Sequence, residues 1–169
     1  MGDAEIKILL LEDNLSDAKT IMRELDEWRR ATPILVEHVE RLSLALECIQ
    51  KKEYDIILTD LKLPDSDGLE TAVRLLEQAP KIPLIVLTST YEQEGMALEA
   101  VRQGAQDYLF KDKMGGALLI RSIRYAIADV LNGTDDRATK DKVAQHLVDE
   151  YSTVIVEKMI AVLGEEAKT

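Results

Sequence analysis

Five short apolar runs, each followed by a stretch of helical periodicity, constrain this chain more than any other feature. Ile6-Lys7-Ile8-Leu9-Leu10-Leu11, Ile34-Leu35-Val36-Glu37-His38-Val39, Asp55-Ile56-Ile57-Leu58-Thr59-Asp60, Leu84-Ile85-Val86-Leu87 and Asp107-Tyr108-Leu109-Phe110 are too short for helices and have the composition of buried strands. After the first run, Ala18, Ile21, Met22 and Leu25 recur at helical spacing within residues 14–30. Further helices are expected over 43–51, 69–78, 91–103 and 117–131. Asn14, Ser16 and Asp17 suit the start of the first helix, and Trp28 near its end can pack against the next strand. Gly104 suits a left-handed cap on the fourth helix, and Asn132-Gly133 stops the fifth. Strands and helices alternating in this way form a parallel sheet covered on both faces.

The ends of these strands carry the chemistry. The third closes on Asp60, the first runs into Glu12-Asp13, the fourth into Thr88-Ser89 and the fifth into Lys111. Side by side and parallel, the strands bring carboxylates, a hydroxyl and an ammonium to one rim, the edge of such sheets where ligands bind. Carboxylate oxygens suit a hard divalent cation, which takes one or two of them together with water and substrate phosphate oxygens. A carboxylate can also be the nucleophile in phosphoryl transfer, with a cation and a hydroxyl stabilising the charge on the transferring group. Taken singly, Glu12 and Thr88 read more simply as helix-capping groups. Four polar strand ends together are hard to attribute to capping.

Composition narrows the class. At 169 residues, 46% hydrophobic, the chain has room for one α/β domain and an appendage. A single cysteine, Cys48, rules out a disulfide framework and fits a reducing compartment as a small core residue. No apolar stretch is long enough to span a bilayer, and Met1-Gly2-Asp3-Ala4-Glu5 lacks the basic start of a secretory signal, so a cytoplasmic protein without membrane contact is expected. A net charge of −11 argues against DNA as a partner, because neutralising phosphates needs a basic patch. Protein partners are the expectation.

The segments Leu11-Glu12-Asp13-Asn14, Thr59-Asp60-Leu61-Lys62-Leu63-Pro64-Asp65, Val86-Leu87-Thr88-Ser89 and Gly104-Ala105-Gln106-Asp107-Tyr108-Leu109-Phe110-Lys111 resemble, in this order and spacing, the receiver domain of two-component response regulators. The resemblance implies a flavodoxin-like (βα)5 fold, a doubly wound parallel sheet of strand order 2-1-3-4-5, over residues 1–131. It implies that Asp60 accepts a phosphoryl group from a sensor histidine kinase or a histidine phosphotransfer protein, and that the chain is no enzyme beyond its own phosphotransfer and autodephosphorylation. It implies Mg²⁺, with Mn²⁺ as an alternative occupant, held by Asp13, Asp60 and the backbone carbonyl of Lys62, with Glu12 acting mostly through water. Lys111 would pair with the phosphoryl group. Thr88 and Tyr108 would form a switch that shifts the fourth helix and alters the face of the fourth helix, fifth strand and fifth helix. The chain departs from the family in following Lys111 with Asp112, where many receivers place a proline, often with a cis bond that helps aim the lysine. Its acidic pair is Glu-Asp rather than Asp-Asp.

Residues 132–169 fall outside the resemblance. They are too few for the usual DNA-binding output domain and are net acidic. Residues 138–163 read as a helix with Val143, Leu147, Tyr151, Val154, Ile155, Met159 and Val162 on its apolar side, although Thr153-Val154-Ile155-Val156 fits a strand equally well. Docking on the receiver and homodimerisation, through this extension or through the fourth helix, fifth strand and fifth helix, both stay open. His146 there and His38 in the second strand read as ordinary surface and structural histidines. Two rivals remain for the function. An aspartyl-phosphate hydrolase would want a second carboxylate two residues past its nucleophile, where this chain has Lys62. A constitutive adaptor with a receiver fold, never phosphorylated, is the stronger alternative.

Overall fold

The computed structural model describes residues 5–89 and 93–131. In chain order the elements are β1 (Ile6–Leu11), α1 (Leu15–Asp26), β2 (Ile34–Val39), α2 (Leu42–Lys51), β3 (Ile56–Asp60), β4 (Lys62–Leu63), β5 (Ser66–Asp67), α3 (Leu69–Gln78), β6 (Leu84–Thr88), α4 (Glu94–Gln103), β7 (Asp107–Phe110) and α5 (Gly116–Leu131). The expected extension at 132–169, with its helix and His146, lies outside the described residues, as do residues 90–92 at the expected start of the fourth helix. Among the described residues no helix is long and apolar enough to cross a membrane.

Five strands form one sheet of order β2-β1-β3-β6-β7, every pairing parallel. This is the expected 2-1-3-4-5 order of a flavodoxin-like fold, because β4 and β5 are only a two-residue antiparallel ladder set apart from the sheet. α1 and α5 pack together, and α2, α3 and α4 form a second row of neighbours. Strands covered on both faces read as continuous apolar runs: Leu9, Leu10 and Leu11 of β1 and Ile56 to Leu58 of β3 are buried without alternation. β2 at the sheet edge mixes Glu37 and His38 with Leu35, which is exposed.

Helix starts show where local sequence acts and where it does not. α1 is capped locally, Asn14 Oδ1 accepting the Asp17 N–H at 3.0 Å. The residue preceding α2, Arg41, offers no side-chain cap. Asp65, 23 residues beyond Leu42, supplies it instead: its carboxylate accepts the N–H groups of Leu42 at 2.8 Å and Ser43 at 2.9 Å. Gly104 ends α4 at φ 137°, as expected from its position, a conformation that side chains with a Cβ rarely adopt. α1 stops at Asp26, short of the expected 30, and the chain turns through Trp28 to Thr32, whose N–H donates to the Trp28 carbonyl at 2.8 Å. The indole lies against the start of α5. A Cβ on Gly116 would sit 2.7 Å from Trp28 Nε1 and 3.0 Å from the Glu24 carbonyl oxygen. The same glycine's N–H donates to Glu24 Oε2 at 2.9 Å, so α1 and α5 meet at a point with no room for a side chain.

Gly116→Ala is expected to destabilise the protein by about 1–3 kcal/mol through overpacking, read from urea unfolding. Asp65→Ala is expected to cost about 1 kcal/mol at pH 7. Slight desolvation pushes the carboxyl of the exposed Asp65 up, and the N–H groups of Ser43 and Leu42 outweigh it, leaving the pKa below the ordinary value. A carboxyl depressed by folding adds stability that is present above its unfolded value, near pH 3.9, and lost as pH falls through the folded one. The stability gap between wild type and Asp65→Ala should therefore close as the pH is taken below about 4.

Candidate functional site

The parallel register brings the four polar strand ends together. Leu11 of β1 lies opposite Thr59 of β3, Asp60 opposite Leu87 of β6, and Thr88 opposite Phe110 of β7. Glu12, Asp60, Thr88 and Lys111 therefore come to one rim of the sheet. The rim is tied across its strands, the Glu12 N–H donating to the Val39 carbonyl at 3.0 Å and the Lys111 N–H to the Thr88 carbonyl at 2.7 Å. His38 Nε2 donates to the Glu12 carbonyl at 2.6 Å, a structural contact that holds the end of β1.

Lys111 organises the charge. Its Nζ donates to Asp60 Oδ2 at 2.7 Å and to Asp17 Oδ2 at 3.1 Å, and it pairs with Glu12 Oε2. An ammonium has three N–H groups, and here three carboxylates surround it. Burial alone would lower the Lys111 pKa, but the hydrogen bonds and charges of Asp60 and Glu12 reverse that and raise it above the ordinary lysine value. For Glu12, which is fully buried, desolvation pushes the carboxyl up, and the contact with Lys111 only partly opposes it. The Asn14 N–H adds a hydrogen bond to Glu12 Oε1 at 3.1 Å.

Glu12, Asp13 and Asp60 each present a carboxylate oxygen within 4.8 Å of the others. Asp13 is exposed and the cleft is open, lined also by Asn14, Ser89 and Gln93. Hard oxygen donors, an open side for water and more negative charge than Lys111 offsets are what a divalent cation requires. The Lys62 N–H donates to Asp60 Oδ1 at 3.1 Å, while its side chain points to solvent. The loop beyond is locked by the Thr71 hydroxyl, which donates to the Leu61 carbonyl at 3.1 Å and lies 2.8 Å from the Ser66 hydroxyl.

The expected switch pair is placed unequally. Thr88 is buried and its Oγ1 has no hydrogen-bond partner among the described residues. Tyr108 lies two positions back along β7 from the partner of Thr88, its ring wholly buried and edge-on to Phe110, centroids 5.9 Å apart. Its hydroxyl donates to Glu94 Oε1 of α4 at 3.3 Å. Burial and the nearby Glu94 carboxylate raise the phenol pKa, keeping the donor proton in place. Sequence reasoning missed three groups here. Asp17 reads in sequence only as a helix start, and neither Glu94 nor Gln93, the latter buried in the cleft with Oε1 unpartnered among the described residues, carries a motif.

A doubly wound parallel sheet with an acidic, lysine-braced cleft at the carboxyl ends of its strands defines a receiver-type domain. The chain belongs to the response regulator receiver domain family, whose model matches residues 8–124. It is similar to the transcriptional regulatory protein ZraR of Klebsiella oxytoca, 29% identical over 111 residues, which are 66% of this chain and 24% of that protein. It is also similar to the transcriptional regulatory protein YdfI of Bacillus subtilis, 30% identical over 109 residues, which are 63% of this chain and 48% of that protein. The match thus spans less than half the length of these relatives. Among solved structures it resembles the receiver domain of the sensor histidine kinase PA1611 from Pseudomonas aeruginosa PAO1, solved with a magnesium ion coordinated in the active-site cleft. That likeness has TM-score 0.62 and 29% identity and covers 74% of this chain and 99% of that one. The signal receiver domain of an HD domain-containing protein from Pseudomonas fluorescens Pf-5 shares the fold, with TM-score 0.68 at 20% identity over 80% of this chain and 96% of that one.

A double-mutant cycle with Tyr108→Phe and Glu94→Ala is expected to return a coupling of about 1 kcal/mol, below the usual range for a hydrogen bond to a charged acceptor because the contact is long. Additive losses in urea unfolding would mean the pair does not hold α4 to β7.

Proposed function

We propose that the protein is a phosphorylation-controlled receiver that takes a phosphoryl group onto Asp60 and signals through altered protein contacts. The observation that carries this reading is Asp60 itself: a strand-end carboxylate held at 2.7 Å by a buried lysine and grouped with Glu12 and Asp13. An Asp60 carboxylate oxygen would form the new O–P bond while the P–N bond of a phosphohistidine breaks, the imidazole leaving on the sensor kinase or phosphotransfer protein. Mg²⁺, when bound, offsets charge on the transferring group, with Mn²⁺ able to serve in its place. Asp13, Asp60 and the Lys62 carbonyl would hold it, with Glu12 behind them through water. Lys111 then supplies fixed positive charge beside the acceptor oxygen, and the unpartnered Thr88 hydroxyl is a donor for a phosphoryl oxygen. The chain carries out only its own phosphoryl gain and loss and is not a turnover enzyme. Its net charge of −11 favours protein rather than DNA contacts, in the cytoplasm, with a homodimer formed through residues 132–169 or through α4, β7 and α5 as one route of output.

The second reading is the constitutive adaptor, in which the buried Tyr108 ring and its hydrogen bond to Glu94 are a fixed part of the face made by α4, β7 and α5. The two readings part in a single experiment, in which acetyl phosphate is added with and without Mg²⁺ to wild type and to Asp60→Asn, and intact mass and oligomeric state are recorded. A Mg²⁺-dependent gain of one phosphoryl group, absent in Asp60→Asn, is the expected result. No label under any condition would leave the constitutive adaptor.

A further inference from the structure

We infer that Asp17 is a positioning residue for Lys111, its carboxylate holding the ammonium beside Asp60 where the phosphoryl group arrives. The inference rests on the phosphoacceptor reading of Asp60 and adds a residue to it. No proline follows Lys111, and the described residues contain no cis peptide bond. The Lys111 backbone is fixed by its N–H to the Thr88 carbonyl, but four rotatable carbons separate that anchor from Nζ. The direction of the side chain is therefore set by what receives its ammonium.

Of the three carboxylates that do so, Glu12 and Asp60 also belong to the acidic trio suited to a cation, and Asp60 is the acceptor itself. Asp17 stands outside that trio. Its hold on Lys111 does not compete with the cation or the phosphoryl group. Asp17 is also built into place: Asn14 receives its N–H at 3.0 Å, and the Asn14 N–H is held by Glu12 at 3.1 Å, so strand end, helix cap and Asp17 form one rigid piece. An acidic residue needed only for the helix dipole has no reason to face a lysine 94 residues away. On the outer side of the amine, Asp17 also helps keep the Lys111 side chain at 8% exposure while being 37% exposed itself.

Two readouts on wild type, Asp17→Ala and Asp17→Glu test this. In metal-free protein, the rate of reductive methylation at Lys111, followed by mass spectrometry, should rise about fivefold in Asp17→Ala, as for loss of a partly exposed ion pair, and return toward wild type in Asp17→Glu. Phosphoryl uptake from acetyl phosphate with Mg²⁺ should fall by a similar factor of about five in Asp17→Ala, recover in Asp17→Glu, and show no further loss when Asp17→Ala is added to Lys111→Ala. Unchanged Lys111 reactivity, or wild-type uptake in Asp17→Ala, overturns the inference. Wild type that takes no label, while Asp17→Ala still exposes Lys111, overturns the receiver reading instead.

Discussion

The rim of this domain depends on one ammonium among carboxylates. Glu12, Asp17 and Asp60 converge on Lys111 from the end of β1, from α1 and from β3, and that charge offsets their mutual repulsion. Burying a lysine is costly, and it is tolerated because each of its donors meets an acceptor. The same arrangement explains why the site is poised rather than neutral. Asp13 adds a fourth carboxylate to the cleft, leaving an excess of negative charge that a divalent cation would complete.

The sheet makes such a cluster affordable. Parallel strands place all their carboxyl ends on one side, and apolar runs in β1, β3 and β6 bury both faces behind the rim, so the charged groups stand on a rigid base. The β3–α3 connection carries a second structural duty. Asp65 caps α2, and Ser66 and Thr71 bind the loop back on Leu61, so the backbone beside Asp60 is fixed by contacts on both sides. At Tyr108, burial in β7 and the hydrogen bond to Glu94 join the sheet to α4.

Much of this was legible in the residues. The alternation of strands and helices, the strand ends at Glu12, Asp60, Thr88 and Lys111, and the cap at Gly104 are local signals, and local signals survive in a linear reading. Less visible were partners supplied from a distance. Arg41 is a poor cap, so the start of α2 is explained only by Asp65. The slot beside the Trp28 indole is made by Gly116, a residue whose missing side chain signals nothing until α1 and α5 are brought together.

What the sequence by itself determined is the class of fold and the chemical kinds at its rim, because hydrophobic periodicity sets the strands and parallel pairing carries their last residues to one edge. Tertiary structure alone decided which acid faces which base. Asp17 and Lys111 are 94 residues apart and Glu12 lies further still from Lys111, and only the parallel pairing of β1, β3, β6 and β7, with α1 packed beside it, turns composition into contact. It also decided that Tyr108 lies inward with Glu94. A strand position fixes which face of the sheet a side chain leaves from, but the partner of its hydroxyl belongs to a helix whose placement no local pattern encodes.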